Sequence, residues 1–502
     1  MPLPRMPHPR ACLILVLASL ISYPGAATEL SLEPCTLGGS LDVSGVEARC
    51  GWFERRENPE DDSSPTISLR VAVVDALSPN PKTDALTVIN GGPGGSSIDL
   101  YADMSGAFAR IHRERDIVLM DQRGTGASNP LDCPTLESTS LEEDPGRVAD
   151  AARACLAAFT ADPRYYTTSV AVQDLEALRQ ALGYPALNLY GVSYGTRVAQ
   201  HYARRYPDVV RTLVIDGIVP PDVPLGPNAA FNAQRALDRL FERCAADPQC
   251  RERFPDPSAQ LAVLEARLKA GAIPLEIAHP VSGRTEPIEL GYAFLPLTVR
   301  MLSYAPETAS LLPLIIDEAE ARRNYVPLAA NALRVETELR RGMRIGMHNS
   351  VICTEDIPYL GEVDEAALTA TYMGAGQVAA LEAICSVWPK GPMDADLREP
   401  LTTDVPTLLL SGEEDPITPP AYGDRVRTGL PNSLHLVASG QGHGVAPRGC
   451  FPRLIGNFVE SADLDALDTE CVARFDHVPF FLNLMGPVPL VDKPAPGAEA
   501  AP

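Results

Sequence analysis

The sequence predicts an α/β fold: a mostly parallel sheet flanked by helices, interrupted by a largely helical inserted cap. Three observations lead there. Short apolar runs end in glycine-containing loops at Asn90-Gly91-Gly92, Asp121-Gln122-Arg123-Gly124 and Gly191. Helical patterns alternate with those runs, as crossovers between parallel strands require. A long helical stretch then intervenes before two more runs of the same kind, Thr407–Leu410 and Ser433–Val437. At 502 residues the chain can bury one large core with an insertion.

Residues 1–27 read as a secretion signal. Arg5, His8 and Arg10 form a basic start, Ala11 to Ile21 an apolar stretch, and Gly25-Ala26-Ala27 a small-residue site for cleavage before Thr28. The apolar run is too short to span a bilayer, so a secreted or periplasmic chain without stable membrane insertion is expected. Eleven cysteines are present and Cys12 lies in the leader, leaving an even ten, which favours disulfides in an exported chain. Sequence neighbours suggest Cys35–Cys50, Cys133–Cys155, Cys244–Cys250, Cys353–Cys385 and Cys450–Cys471, with other pairings open. No C-x-x-C pair occurs, so these cysteines do not suggest a metal site.

The first part of the core is expected over 28–225. Ile67–Val74 alternates like a strand, and Ala85–Ile89, Ile117–Met120 and Leu187–Tyr190 are apolar runs of strand length. Val172–Leu182 has Leu175, Leu178 and Leu182 on one helical face. Thr212–Ile215 follows a helix that contains Ala199, Tyr202 and Ala203. Past Pro220-Pro221 the pattern changes, and 226–400 reads as the cap, with helices at Ala230–Cys244, Ser258–Ala270 and Ser310–Arg322. The core resumes over 401–484, and 485–502 is a Pro/Ala-rich tail expected to be disordered. Acids outnumber bases 65 to 42, for a net charge of −23, which repels phosphate backbones and argues against a nucleic-acid partner.

The chemistry concentrates in the loops. Gly191-Val192-Ser193-Tyr194-Gly195 fits G-x-S-x-G between an apolar strand and a helix, the setting that exposes a serine hydroxyl on a tight turn. Ser193 is the candidate nucleophile. Where such an elbow occurs, an acid and then a histidine follow it in the chain. His443, in the loop Ser439-Gly440-Gln441-Gly442-His443-Gly444 after a strand, is the candidate base; His435 alternates within a strand and reads as structural, and His477 sits in a late helix-to-loop region with no flanking turn. Asp415, beside Pro416 after another strand, is the preferred orienting acid over Glu413 and Glu414. The oxyanion donors would be the amides of Tyr194 and of Gly92, with Gly91 second; Pro93 has no N–H. The glycine loop lacks the lysine of a phosphate-binding loop, and neither a dinucleotide fingerprint nor HExxH occurs, so no metal or organic cofactor is expected.

Taken together, the Asn90–Gly95 loop, Asp121-Gln122-Arg123-Gly124-Thr125-Gly126-Ala127-Ser128, the elbow and Gly442-His443-Gly444 resemble the tripeptidyl-aminopeptidase and prolyl-aminopeptidase branch of the α/β-hydrolases, from about Gly51 to about Leu482. The resemblance implies a secreted serine exopeptidase that removes short N-terminal fragments from peptides through an acyl-enzyme. The alternative is a carboxylic-ester hydrolase of the same fold. Asn90 stands where prolyl aminopeptidases usually carry histidine, and their tryptophan-glutamate cap motif has no clear copy, which argues against strict proline specificity. Asp121 and Arg123 are expected to brace neighbouring loops. An aminopeptidase should hold the substrate ammonium with carboxylates. Glu355 and Asp356 are the candidates among cap acids that also include Glu336, Glu338 and Glu362.

Overall fold

The computed structural model describes residue 1 and residues 30–38, 45–137 and 144–488. Beyond Met1, the expected signal segment and Cys12 lie outside the described residues, as does the tail beyond 488. The strands are β1 (Leu32–Gly38), β2 (Gly45–Arg56), β3 (Thr66–Val74), β4 (Ala85–Ile89), β5 (Ile117–Met120), β6 (Leu187–Val192), β7 (Val210–Asp216), β8 (Ile273–Ala278), β9 (Thr285–Leu290), β10 (Thr407–Gly412) and β11 (Ser433–Ala438). Nine of them form one sheet in the order β1-β2-β3-β5-β4-β6-β7-β10-β11. From β5 to β11 every neighbouring pair is parallel, and β1, β2 and β3 add an antiparallel edge.

Covering both faces explains why the central strands read as unbroken apolar runs: every residue of β4 and β5 is buried. Along β3 the two faces separate. Leu69, Val71 and Val73 join the core that holds Leu175 and Leu178, whereas Ala72 and Val74 join the opposite core with Phe451 and Phe458. The expected helix around Val172 spans Thr168–Leu182 and stops at Gly183, whose left-handed backbone (φ 78°) lets its amide close on the Arg179 and Gln180 carbonyls.

Between β7 and β10 the chain is mainly helical and builds a third core from residues such as Leu237, Leu264, Val299 and Ile315. The helices expected from Ala230, Ser258 and Ser310 run over Pro227–Ala246, Pro257–Ala270 and Leu312–Glu320. Asp256 caps the second by accepting from the Ala259 amide, with Pro257 at the first position. Two features were not legible beforehand. β8 and β9 form a hairpin within this block, and β1 and β2 carry charged residues on their exposed faces that hide the alternation.

All five suggested disulfides are formed: Cys35–Cys50, Cys133–Cys155, Cys244–Cys250, Cys353–Cys385 and Cys450–Cys471. They tie local neighbours, β1 to β2 for instance, which is why sequence proximity paired them correctly. Among the described residues no helix is long and apolar enough to cross a membrane.

Candidate active site

The elbow explains its own sequence. β6 ends at Val192, Ser193 adopts φ 56° and ψ −127°, and the next helix, Tyr194–Arg205, begins at once. A Cβ on Gly195 would lie 2.3 Å from the Ile89 carbonyl oxygen, and one on Gly191 would lie 2.4 Å from the Gly195 oxygen. The turn closes only because neither residue has a side chain, and that closure holds Ser193 in a backbone region costly for a residue with a Cβ. The Ser193 amide donates to the Asp216 carbonyl at 3.0 Å, which pins the turn to the end of β7.

Two amides flank the serine as expected. Tyr194 is the first residue of its helix, so its N–H has no intrahelical acceptor. On the facing loop the Gly91 amide donates to Asn90 Oδ1 at 2.6 Å. Gly91 is thereby committed. Gly92 is exposed, lines the cleft above Ser193, and its amide has no acceptor among the described residues. This commitment separates the two glycines, which the sequence had ranked without a physical reason.

His443 Nδ1 faces Asp415 Oδ2 at 2.8 Å and the Thr418 hydroxyl at 3.1 Å. Asp415 is fully buried and also accepts from the amides of Ile417 (2.9 Å) and Thr418 (2.8 Å) through Oδ1, and from the Thr418 hydroxyl (2.7 Å) through Oδ2. Burial alone would raise its pKa, but His443 and these donors hold it below the usual carboxylate value. Burial pulls the imidazole the other way, down, yet Asp415 and Asp216 outweigh it and leave His443 above its ordinary value. The ring packs against Tyr304 (centroids 5.0 Å apart) and against Gly217, where a Cβ would meet Cε1 at 2.9 Å. Ser193 Oγ and the imidazole are not hydrogen-bonded in this arrangement, a looseness common before substrate engages.

The neighbouring acids and histidines are otherwise employed. Glu413 and Glu414 pair with Arg239, and Glu414 with His477. His435 bridges Ser411 and Asp424 as a structural histidine should. Three contributors escaped the sequence reading. Thr418 braces both Asp415 and His443. Tyr304 accepts the His443 amide at 2.8 Å through its carbonyl. The buried Asp216 carboxylate accepts from the amides of Val445 and Ala446 and from Tyr190, fixing the histidine loop to β7. Only Asp216 had a signal: an acid directly after an apolar strand.

Asp121 and Arg123 brace loops as expected. Asp121 accepts from Ser96 Oγ (2.8 Å) and the Ile98 amide (3.1 Å), holding the start of the Ser97–Met104 helix beside the glycine loop, and burial pushes its pKa up to about 6. Arg123, with no exposure, forks onto Asp174 at 2.7 and 3.0 Å and donates to the carbonyls of Glu57 and Tyr165.

The expectation for Glu355 and Asp356 needs correcting. Both have no exposure and stand beneath the cleft, at the end of the Ile345–Glu355 helix. Asp356 takes a bidentate pair from Arg197 at 2.9 and 3.0 Å; Glu355 accepts from the Thr168 amide and hydroxyl, both at 2.7 Å. Their oxygens are spent inside the protein, and neither lines the cleft. Thr168 in turn bonds the Tyr194 hydroxyl at 2.6 Å, so the pair supports the elbow helix. Burial raises Glu355 to about 7, against a partial offset from Arg197. A raised carboxyl pKa means that the native state holds an extra proton between the unfolded value, about 4.3, and about 7, so stability falls as pH rises through that window. The thermal midpoint of the wild type should therefore decline from about pH 4.5 to 7 with a component that Glu355→Gln lacks. Identical slopes would assign the decline to another group.

The cleft over Ser193 encloses about 670 Å³ including its open mouth. Gly92, Leu225, Ile352 and Tyr422 line it, together with Arg300, Tyr304 and His348.

Comparison with known proteins bears on the fold and the family. Residues 84–282 match the α/β-hydrolase fold family, and residues 370–471 match the family of TAP-like proteins. The serine protease Hip1 of Mycobacterium tuberculosis is 26% identical over 73% of this chain and 76% of its own length. The putative hydrolase YuaR of Escherichia coli is 27% identical over 45% of this chain, which spans 49% of that protein. The tripeptidyl aminopeptidase of Streptomyces lividans is 33% identical over 27% of this chain and 29% of its own length. The chain is an α/β-hydrolase of the tripeptidyl-aminopeptidase and prolyl-aminopeptidase-like branch.

Proposed function

We propose that this α/β-hydrolase is a secreted serine exopeptidase that releases short N-terminal fragments from peptides through Ser193, His443 and Asp415. The observation that carries the reading is the 2.8 Å contact of His443 Nδ1 with buried Asp415, beside a serine held at φ 56°. Asp415 holds the proton on Nδ1, so Nε2 is free to take the Ser193 proton as Oγ attacks the scissile carbonyl. The Gly92 and Tyr194 amides receive the developing oxyanion. The imidazolium then protonates the leaving amine, and water, activated by the same histidine, releases the acyl fragment. Five disulfides and the leader-like first 27 residues support export.

A specific observation favours a second reading, a carboxylic-ester hydrolase. Among the described residues, the cleft lining contains no aspartate or glutamate to receive a substrate ammonium. Mass spectrometry of fragments released from a mixed peptide library, each peptide supplied with a free and an acetylated amino terminus, separates the two. The exopeptidase reading expects short N-terminal fragments from free-amine peptides only, and none from Ser193→Ala. Equal cleavage of acetylated peptides, or ester turnover alone, would select the second reading. Fragments from Ser193→Ala would end both.

A further inference from the structure

Among the described residues that line the cleft over Ser193, Arg300 is the one arginine, lysine or carboxylate, and burial holds the pKa of His348 below its ordinary value. It stands in the last turn of the Phe294–Leu302 helix, which docks on the histidine loop through the Tyr304 carbonyl. Its setting differs from that of the other arginines held inside the fold. Arg115, Arg123 and Arg197 each reach a carboxylate at 2.7–2.9 Å. Arg300 has no carboxylate partner among the described residues. Its guanidinium makes only two long contacts, Nη1 to Gln377 Oε1 at 3.4 Å and Nη2 to the Tyr304 hydroxyl at 3.3 Å, and its buried Nε has no acceptor.

A guanidinium carries five N–H donors, and here the two Nη atoms make only those long contacts, which leaves donors for a ligand oxygen in the cleft. Planar and forked, it matches a carboxylate best. The net charge of −23 means that the field of the whole molecule does not draw anions in, so recognition would be local. Position supports a role in the reaction. Tyr304 touches both Arg300 and the His443 ring, and the Arg300 charge is near enough to oppose protonation of that ring.

We propose that Arg300 binds a carboxylate of the substrate, so that this site prefers acidic acyl donors or acidic peptides over neutral ones of the same shape. The carboxylate has two possible sources, an acidic side chain before the scissile bond or the terminal carboxylate of a short peptide. The proposal rests on the acyl-transfer reading of Ser193 but not on the scissile bond being a peptide bond.

The test measures kcat/KM for three matched pairs: tripeptide anilides ending in Glu or Gln, tetrapeptides with a free or amidated carboxyl terminus, and nitrophenyl esters of glutarate or pentanoate. The wild type should favour the carboxylate member of at least one pair by about 10- to 100-fold, as a charge-assisted bond warrants. Arg300→Gln should collapse that ratio to near one, and Arg300→Lys should retain part of it. A ratio is independent of how much variant folds. The anilide and tetrapeptide pairs tell the side chain from the terminus. A wild-type ratio near one in all three pairs, or a ratio that survives Arg300→Gln, would overturn the proposal. Peptides cleaved without a carboxylate preference would sink it and leave the peptidase reading standing. A preference seen in the esters with no peptide cleaved would do the reverse.

Discussion

Asp415→Asn should lower kcat by about 10⁴-fold while leaving the protein folded. The argument is positional. Asp415 Oδ1 accepts from the Ile417 and Thr418 amides, so the variant's amide oxygen takes that place and its NH₂ replaces Oδ2, facing His443 Nδ1. An NH₂ there demands an unprotonated Nδ1 and drives the proton to Nε2, the atom that must accept from Ser193. The acid limb of the pH profile should move as well. Asp415 is the principal group raising His443, so the wild-type kcat/KM should fall through an inflection above the ordinary histidine value, about 6.5. In Asp415→Asn the residual activity should persist to lower pH. A limb that does not move would mean that His443 is not the titrating base.

Arg123→Ala should destabilise the fold by about 3–5 kcal/mol, read as a lower midpoint of chemical denaturation. The guanidinium is entirely buried and joins three segments: Asp174 of the Thr168–Leu182 helix, the Glu57 carbonyl after β2, and the Tyr165 carbonyl. Its removal leaves Asp174, itself 1% exposed, with Arg55 as its remaining cation at 3.0 Å, and the carbonyls of Arg56, Glu57 and Tyr165 lose a donor. Lysine should rescue poorly, since one ammonium cannot reproduce the fork. Asp174→Ala combined with Arg123→Ala should cost less than the sum of the single changes, because each already breaks the same pair. A loss below about 1 kcal/mol would show that the network is satisfied without the arginine.

The core strands were readable because burial on both faces writes them as unbroken apolar runs, β4 and β5 most plainly. β1 and β2 were missed because strands with one face in solvent carry residues such as Glu33, Glu47 and Glu54 that disguise the period. The loops that carry the proposed catalytic residues were readable for a different reason. Each follows a strand, and each contains a residue type that the turn or the chemistry demands. Glu355 and Asp356 show where that reasoning stops. An acid in a helical block has the same sequence whether it faces a cleft or an internal arginine, and only the packing of Arg197 and Thr168 against it decides.

The sequence by itself determined the sheet-and-helix order, the serine elbow with its two obligatory glycines, the positions of Asp415 and His443, and the pairing of neighbouring cysteines. These are local matters of period, turn geometry and residue chemistry. The tertiary structure alone decided that Gly91 is committed to Asn90 while Gly92 is free, that Thr418 and Asp216 hold the histidine loop, and that the charged side chain facing the cleft is an arginine. Those depend on which distant segments meet, and burial, hydrogen-bond satisfaction and charge pairing take their values only after the chain has closed on itself.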